Sequence, residues 1–155
     1  MKKISVLIFC MLMVVLVGCS AKTNVTKSVN ATPKVKLTAQ SIFDKLKETE
    51  AKSITKVVIV DADHDESGLF GRPNQYTEKI EWKDSRIQNS QVTSSIEVFK
   101  TAEDATARKT YLEGIIKSMP TFIQYIEQKD NILLRIEGGL KPAQSNEYIK
   151  VFKAM

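Results

Sequence analysis

The feature that most limits how this chain can fold is how little cysteine it keeps. Only Cys10 and Cys19 occur in 155 residues. Lys2 and Lys3 open the sequence, Ile4 to Val17 follows as an almost unbroken apolar run, and Gly18 supplies a small residue after it. This is the layout of a cleavable export signal. The run is about 15 residues, short of the ~20 that a helix needs to cross a bilayer, so cleavage is expected rather than spanning. Cys10 then leaves with the signal. With no second cysteine to pair with, the exported domain has to be stable through its hydrophobic core alone, without covalent staples.

Leu16-Val17-Gly18-Cys19 resembles a bacterial lipobox, with Leu16 and Gly18 at the −3 and −1 positions and the cysteine just after the cut. The resemblance implies that Cys19 is the lipidation site. Its thiol would be alkylated to a thioether bearing a diacylglyceryl group, with fatty chains such as palmitate. Each buried CH₂ contributes about 0.8 kcal/mol, and two chains hold stably where one is marginal. The expected location is the extracytoplasmic face of a cell membrane, with the lipid on Cys19 as the membrane contact. No free thiol would remain for catalysis or metal binding.

Three segments follow from this reading: a lipoprotein signal over 1–18, a flexible tether over 19–37, and a single domain over 38–155. The tether is rich in Ser, Thr, Asn and Lys, with Val too sparse to bury. As a coil it reaches roughly 25 Å, which keeps the domain close to the membrane. The sequons at Asn24 and Asn30 read as linker polarity. Loss of residues 1–18 leaves 137 residues, and the net charge falls from +5 to +3 with Lys2 and Lys3. That length suits one domain with a real core. The mild basicity is diffuse and lacks basic clusters interleaved with aromatics, so nucleic acid is not an expected partner. It suits an anionic membrane or wall surface.

Within the domain, Thr38 can cap a first helix over 39–51, with Ile42, Phe43 and Leu46 at helical spacing. Residues 54–60 are β-branched and apolar, which predicts a buried strand. A long loop over 61–76 holds Gly68, Gly71 and Pro73. Strands are expected over 77–83 and 94–100, with a polar turn between them. Thr101 suits the cap of a second helix, whose stripe is Ala105, Leu112, Ile115, Ile116 and Met119 and whose stop is Pro120. Two strands over 122–127 and 132–137 flank a turn, and Gly138-Gly139 breaks the chain. Pro142 opens a last helix with Tyr148, Ile149 and Phe152 inward. The order α-β-β-β-α-β-β-α predicts an α+β fold: an antiparallel sheet of about five strands, with helices packed on one face.

Little in the chain promises catalysis. Asp61, Asp63 and Asp65 alternate as at the start of a calcium loop, which makes them weak metal candidates. Glu66 and Arg72 then stand where that loop needs Gly and Glu, so a solvated acidic turn fits better and no metal or other cofactor is expected. His64 is the single histidine, and no Ser-His-Asp, HExxH or Cys-His arrangement can be assembled around it. The most individual stretch is 69–79. Arg72, Asn74, Gln75, Tyr76 and Lys79 offer fork donors, amides and a ring that Pro73 and Gly71 could hold rigidly, a set suited to binding a peptide, glycan or anion. The competing reading is a structural loop. In it Arg72 and Lys79 pair with Glu78, Glu81 or Asp84, and Tyr76 packs on Trp82.

Leu69 to Thr77, Asp84-Ser85-Arg86, Ile96 to Phe99, Asp104-Ala105 with Arg108 and Tyr111, Leu133 to Arg135, and Leu140 with Pro142-Ala143-Gln144 together resemble a family of small exported proteins and lipoproteins of Gram-positive bacteria. The resemblance spans roughly residues 57–152 and implies a domain identity, not an activity. The expected function is a membrane-tethered, non-catalytic binding module with a protein or envelope partner. An immunity or phage-exclusion lipoprotein is the alternative, and an envelope-acting hydrolase a more distant one.

Overall fold

The computed structural model describes residues 36–50, 52–90 and 92–155, so the signal, Cys19 and nearly all of the tether lie outside the described residues. Helix α1 (Ala39–Glu50) leads into strands β1 (Ile54–Val60), β2 (Tyr76–Asp84) and β3 (Ser94–Phe99). Helix α2 (Ala102–Ser118) and a 3₁₀ turn (Pro120–Phe122) follow. Strands β4 (Gln124–Lys129) and β5 (Ile132–Glu137) then precede α3 (Pro142–Ala154). The class and element order are those expected from the sequence: α+β, with one antiparallel five-stranded sheet in the order β1-β2-β3-β5-β4.

Helices α1 and α3 share one face of the sheet. Ile80, Trp82, Ile96, Leu134 and Ile136 point into a core closed by Ile42, Phe43 and Leu46 of α1 and by Tyr148 and Phe152 of α3. Trp82 sits at its centre, fully buried, with ring centroids 5.6 Å from Phe43 and 6.0 Å from Tyr148. The local signals act as their chemistry requires. Thr38 and Ser41 exchange side-chain to backbone hydrogen bonds at 2.9 and 3.1 Å to start α1. Thr101 accepts from the Asp104 N–H at 3.1 Å to start α2. The Tyr148 hydroxyl donates to Asp84 Oδ2 at 2.7 Å, and Arg86 holds the same carboxylate and Glu147. That clamp ties α3 to the turn after β2.

Three expectations change. The helices do not all share a face: α2 packs on the opposite side, where Ala105 meets Tyr76, Phe99 and Leu133. Residues 133, 135 and 137 of β5, and 95, 97 and 99 of β3, supply that second face, and alternation along the strands commits them to it. Strand β1 is an edge strand rather than a buried one. Its interior residues are exposed, Ile59 by 65%. Its pairing with β2 also shifts between Thr55 and Val58, where Lys56 takes φ 47°. Finally, Phe122 belongs to the 3₁₀ turn and is half exposed, because Pro120 ends α2 and the chain must turn before β4 can pair from Gln124.

Candidate functional site

The loop from Asp61 to Gln75 is organised around one carboxylate. Asp65 Oδ2 accepts the backbone N–H groups of Leu69 at 2.6 Å and Phe70 at 2.7 Å. Its Oδ1 accepts the Ser67 hydroxyl at 2.7 Å and the Tyr76 hydroxyl at 2.8 Å. Burial pushes the Asp65 carboxyl up, but the hydrogen bonds from Ser67, Phe70, Tyr76 and Leu69 outweigh it and hold its pKa well below the usual carboxylate range. Burial, together with the neighbouring Asp65 charge, pushes the Tyr76 phenol up to about 12. Gly71 has φ 68°, its N–H donating to the Tyr76 carbonyl at 2.9 Å, and Asn74 has φ 61°. These left-handed positions fold the loop back on itself, a geometry that glycine and asparagine tolerate best.

The folded loop forms one wall of a groove of about 300 Å³ whose other wall is α2. Leu69, Asn74 and Gln75 line the loop side, and Ala107, Arg108 and Tyr111 the helix side. Tyr111 is 60% exposed, and the Arg108 guanidinium lies over its ring at 5.6 Å. Arg108 Nε is 3.6 Å from Glu97 Oε2, while Arg135 bonds the other oxygen of that fully buried carboxylate. Glu97 therefore holds two arginines in place, one beneath the groove and one deeper under α2. Gln75 Oε1 is buried without a hydrogen-bond partner among the described residues, which leaves an acceptor beside the groove. A groove with an unsatisfied carbonyl oxygen in its wall, a guanidinium and an exposed ring suits a ligand that offers an N–H donor, an acceptor for the guanidinium and a flat or apolar group.

The sequence-predicted residues divide sharply. Arg72 and Asn74 are exposed and Gln75 is half-buried. Tyr76 and Lys79 do not join them at the surface. Tyr76 is fully buried on the α2 side, edge-on to Phe70 and Phe99, and not packed on Trp82. Lys79 is 8% exposed, pairs with Glu81 at 2.6 Å, and lies 4.8 Å from the Tyr76 ring centroid. Both act as supports of the loop rather than ligand contacts. Asp65 is likewise committed to the loop, and Asp61 accepts from His64 Nδ1 at 2.7 Å and caps the backbone of residues 63 and 64. The alternating aspartates thus serve turns, and Asp63 remains exposed beside them.

Sequence reasoning missed Arg108 and Tyr111 as groove residues, although their i, i+3 spacing on a helix was visible. It also missed Glu97, Arg135 and Glu137, charged residues set on the inner side of central strands. Comparison with family models, with curated proteins and with solved structures returns no match.

Proposed function

We propose that this protein is a lipoprotein held by lipid on Cys19 at the outer face of the cytoplasmic membrane. Its domain would act there as a non-catalytic binding module, related to the small exported Gram-positive proteins it resembles. The groove between the 69–76 loop and α2 would take an extended stretch of a protein or envelope partner. The observation that carries this reading is a rigidly braced groove with Gln75 Oε1 unsatisfied at its side and Tyr111 exposed on its rim. Bracing by Asp65 lowers the ordering cost of binding, because the loop is fixed before a partner arrives. The non-catalytic part is supported by the position of His64, which is mostly exposed and engaged with Asp61 within its own turn.

The test is crosslinking in cells with the full chain, using a photoreactive residue at position 72 on the exposed loop. One partner should be captured from membranes, and the pair Asn74→Gly with Tyr111→Ala should lose it. Gly keeps the left-handed backbone at 74, so a folding defect would not explain the loss. Equal capture by the double variant would remove the groove from the proposal. Cys19→Ser should release the protein from the membrane fraction, and mass spectrometry of the native chain should show the cysteine acylated.

A further inference from the structure

A second concavity lies past the C-terminal end of α2, where the 3₁₀ turn and the end of β5 meet Ile87, Ser90 and Val92. It has a volume of about 490 Å³, within the range of small-molecule sites, and Ile87, Val92, Phe122, Ile123 and Glu137 are among its walls. Gly138 shapes one side. Its N–H donates to the Ile123 carbonyl at 3.0 Å, and a Cβ there would fall 2.1 Å from that oxygen, so only glycine lets β5 close against the turn. A mostly apolar slot of about 300 Å³ under α2, lined by Leu112, Ile115, Ile116 and Met119 together with Gln124 and Arg135, shares Val92 and Phe122 with this cavity.

Glu137 is the unusual wall. It is 2% exposed, and neither carboxylate oxygen has a hydrogen-bond partner among the described residues. Lys83 is near enough to act on its charge, but the Lys83 ammonium donates to the Ser90 carbonyl at 2.7 Å. Asp84 adds a like charge from the same strand. A buried carboxylate left in this way is costly unless something supplies donors to it. A carboxylate-bearing ligand would be repelled by the ionised form, and a neutral alcohol would give that form no compensating charge. An ammonium would satisfy both charge and hydrogen bonding, and the apolar walls would take the group attached to it.

We propose that this cavity binds a small organic amine, with its ammonium on Glu137 and its apolar body against Val92, Phe122 and the slot under α2. The site shares no residue with the loop groove and does not depend on that groove having a partner.

The experiment is calorimetric titration of the full chain at pH 8, where Glu137 is ionised, in lipid nanodiscs with empty nanodiscs subtracted. The probes are phenethylammonium, phenethyl alcohol and phenylpropionate. Saturable binding of the amine is expected, with the alcohol weaker by about tenfold or more and the carboxylate not binding. Glu137→Gln should abolish the preference for the amine. Ile123→Trp, which obstructs the rim at a half-exposed position while leaving Glu137 intact, should weaken the amine as well, and this keeps the test valid where Glu137→Gln fails to fold. Equal affinity for amine and alcohol, amine binding unchanged in both variants, or no saturable amine binding would each overturn the proposal.

Discussion

The two faces of the sheet are built from the same strands and do opposite things. The face under α1 and α3 is an apolar layer around Trp82, and its carboxylates are engaged: Asp84 by Tyr148 and Arg86, Glu78 by the Ala39 N–H, and Glu127 by Lys153. The face under α2 has a small apolar patch at one end and then a row of charges: Lys79 with Glu81, Glu97 between Arg108 and Arg135, and Glu137, whose oxygens have no hydrogen-bond partner among the described residues. Burying ion pairs in this way contributes little net stability, because desolvation offsets most of the attraction. The first face therefore holds the fold together. The second carries two concavities with unsatisfied polar groups in their walls, one along the middle of α2 and one past its C-terminal end.

Paired truncations would break this contrast most directly. Trp82→Ala should cost about 4 kcal/mol of stability in denaturant titrations, as emptying a filled aromatic site does. Leu112→Ala, against the slot under α2, should cost about 2 kcal/mol because the space beside it is already open. Equal costs would mean that the two faces are packed alike.

Glu137 sharpens the contrast in the opposite direction. Burial raises its pKa from 4.5 to about 7, and Asp84 adds to the rise while Lys83 opposes it. Between about pH 4.5 and 7 the folded state thus holds a proton that the unfolded state has already lost, and above 7 the buried group is charged. The associated stability is full below pH 4.5 and drains away as pH rises through 7. Glu137→Gln should therefore stabilise the protein at pH 8 by roughly 3 kcal/mol and change little at pH 4. A variant with the same benefit at both pH values would show that charge burial is not the cause.

The smallest effect belongs to the groove. Tyr111→Ala is expected to shift stability by less than about 0.5 kcal/mol, since the ring is largely exposed, while reducing partner capture. A large loss of stability would instead make Tyr111 a packing residue.

What could be read in advance followed local rules. Thr38 and Thr101 as caps, Pro120 as a stop and Pro142 at a helix start are determined within a few residues, and the elements fall close to where those signals put them. The inward stripe of Tyr148, Ile149 and Phe152 was legible for the same reason. The sheet order was not, because it depends on β5 entering between β3 and β4. That hidden order explains the errors: a run of valines and isoleucines looks the same at the edge as at the centre, so β1 was misjudged. The site failed similarly. Arg72 to Lys79 is contiguous in sequence, but a strand begins at Tyr76, and the irregular register between Tyr76 and Glu78 sends Tyr76 and Lys79 inward. Nothing local tells that Gln75 faces Arg108 and Tyr111 across thirty-odd residues of chain.

The irregularity at Lys56 has a consequence for how copies of this chain behave together. An edge strand with Val57, Val58 and Ile59 in contact with water offers a template onto which another strand could add. The left-handed turn at Lys56 interrupts the even spacing of donors and acceptors and places a charge within that stretch, so a neighbouring strand cannot run along it in register. Wherever copies of the chain meet at high concentration, this single kink disfavours the addition of one strand edge to another.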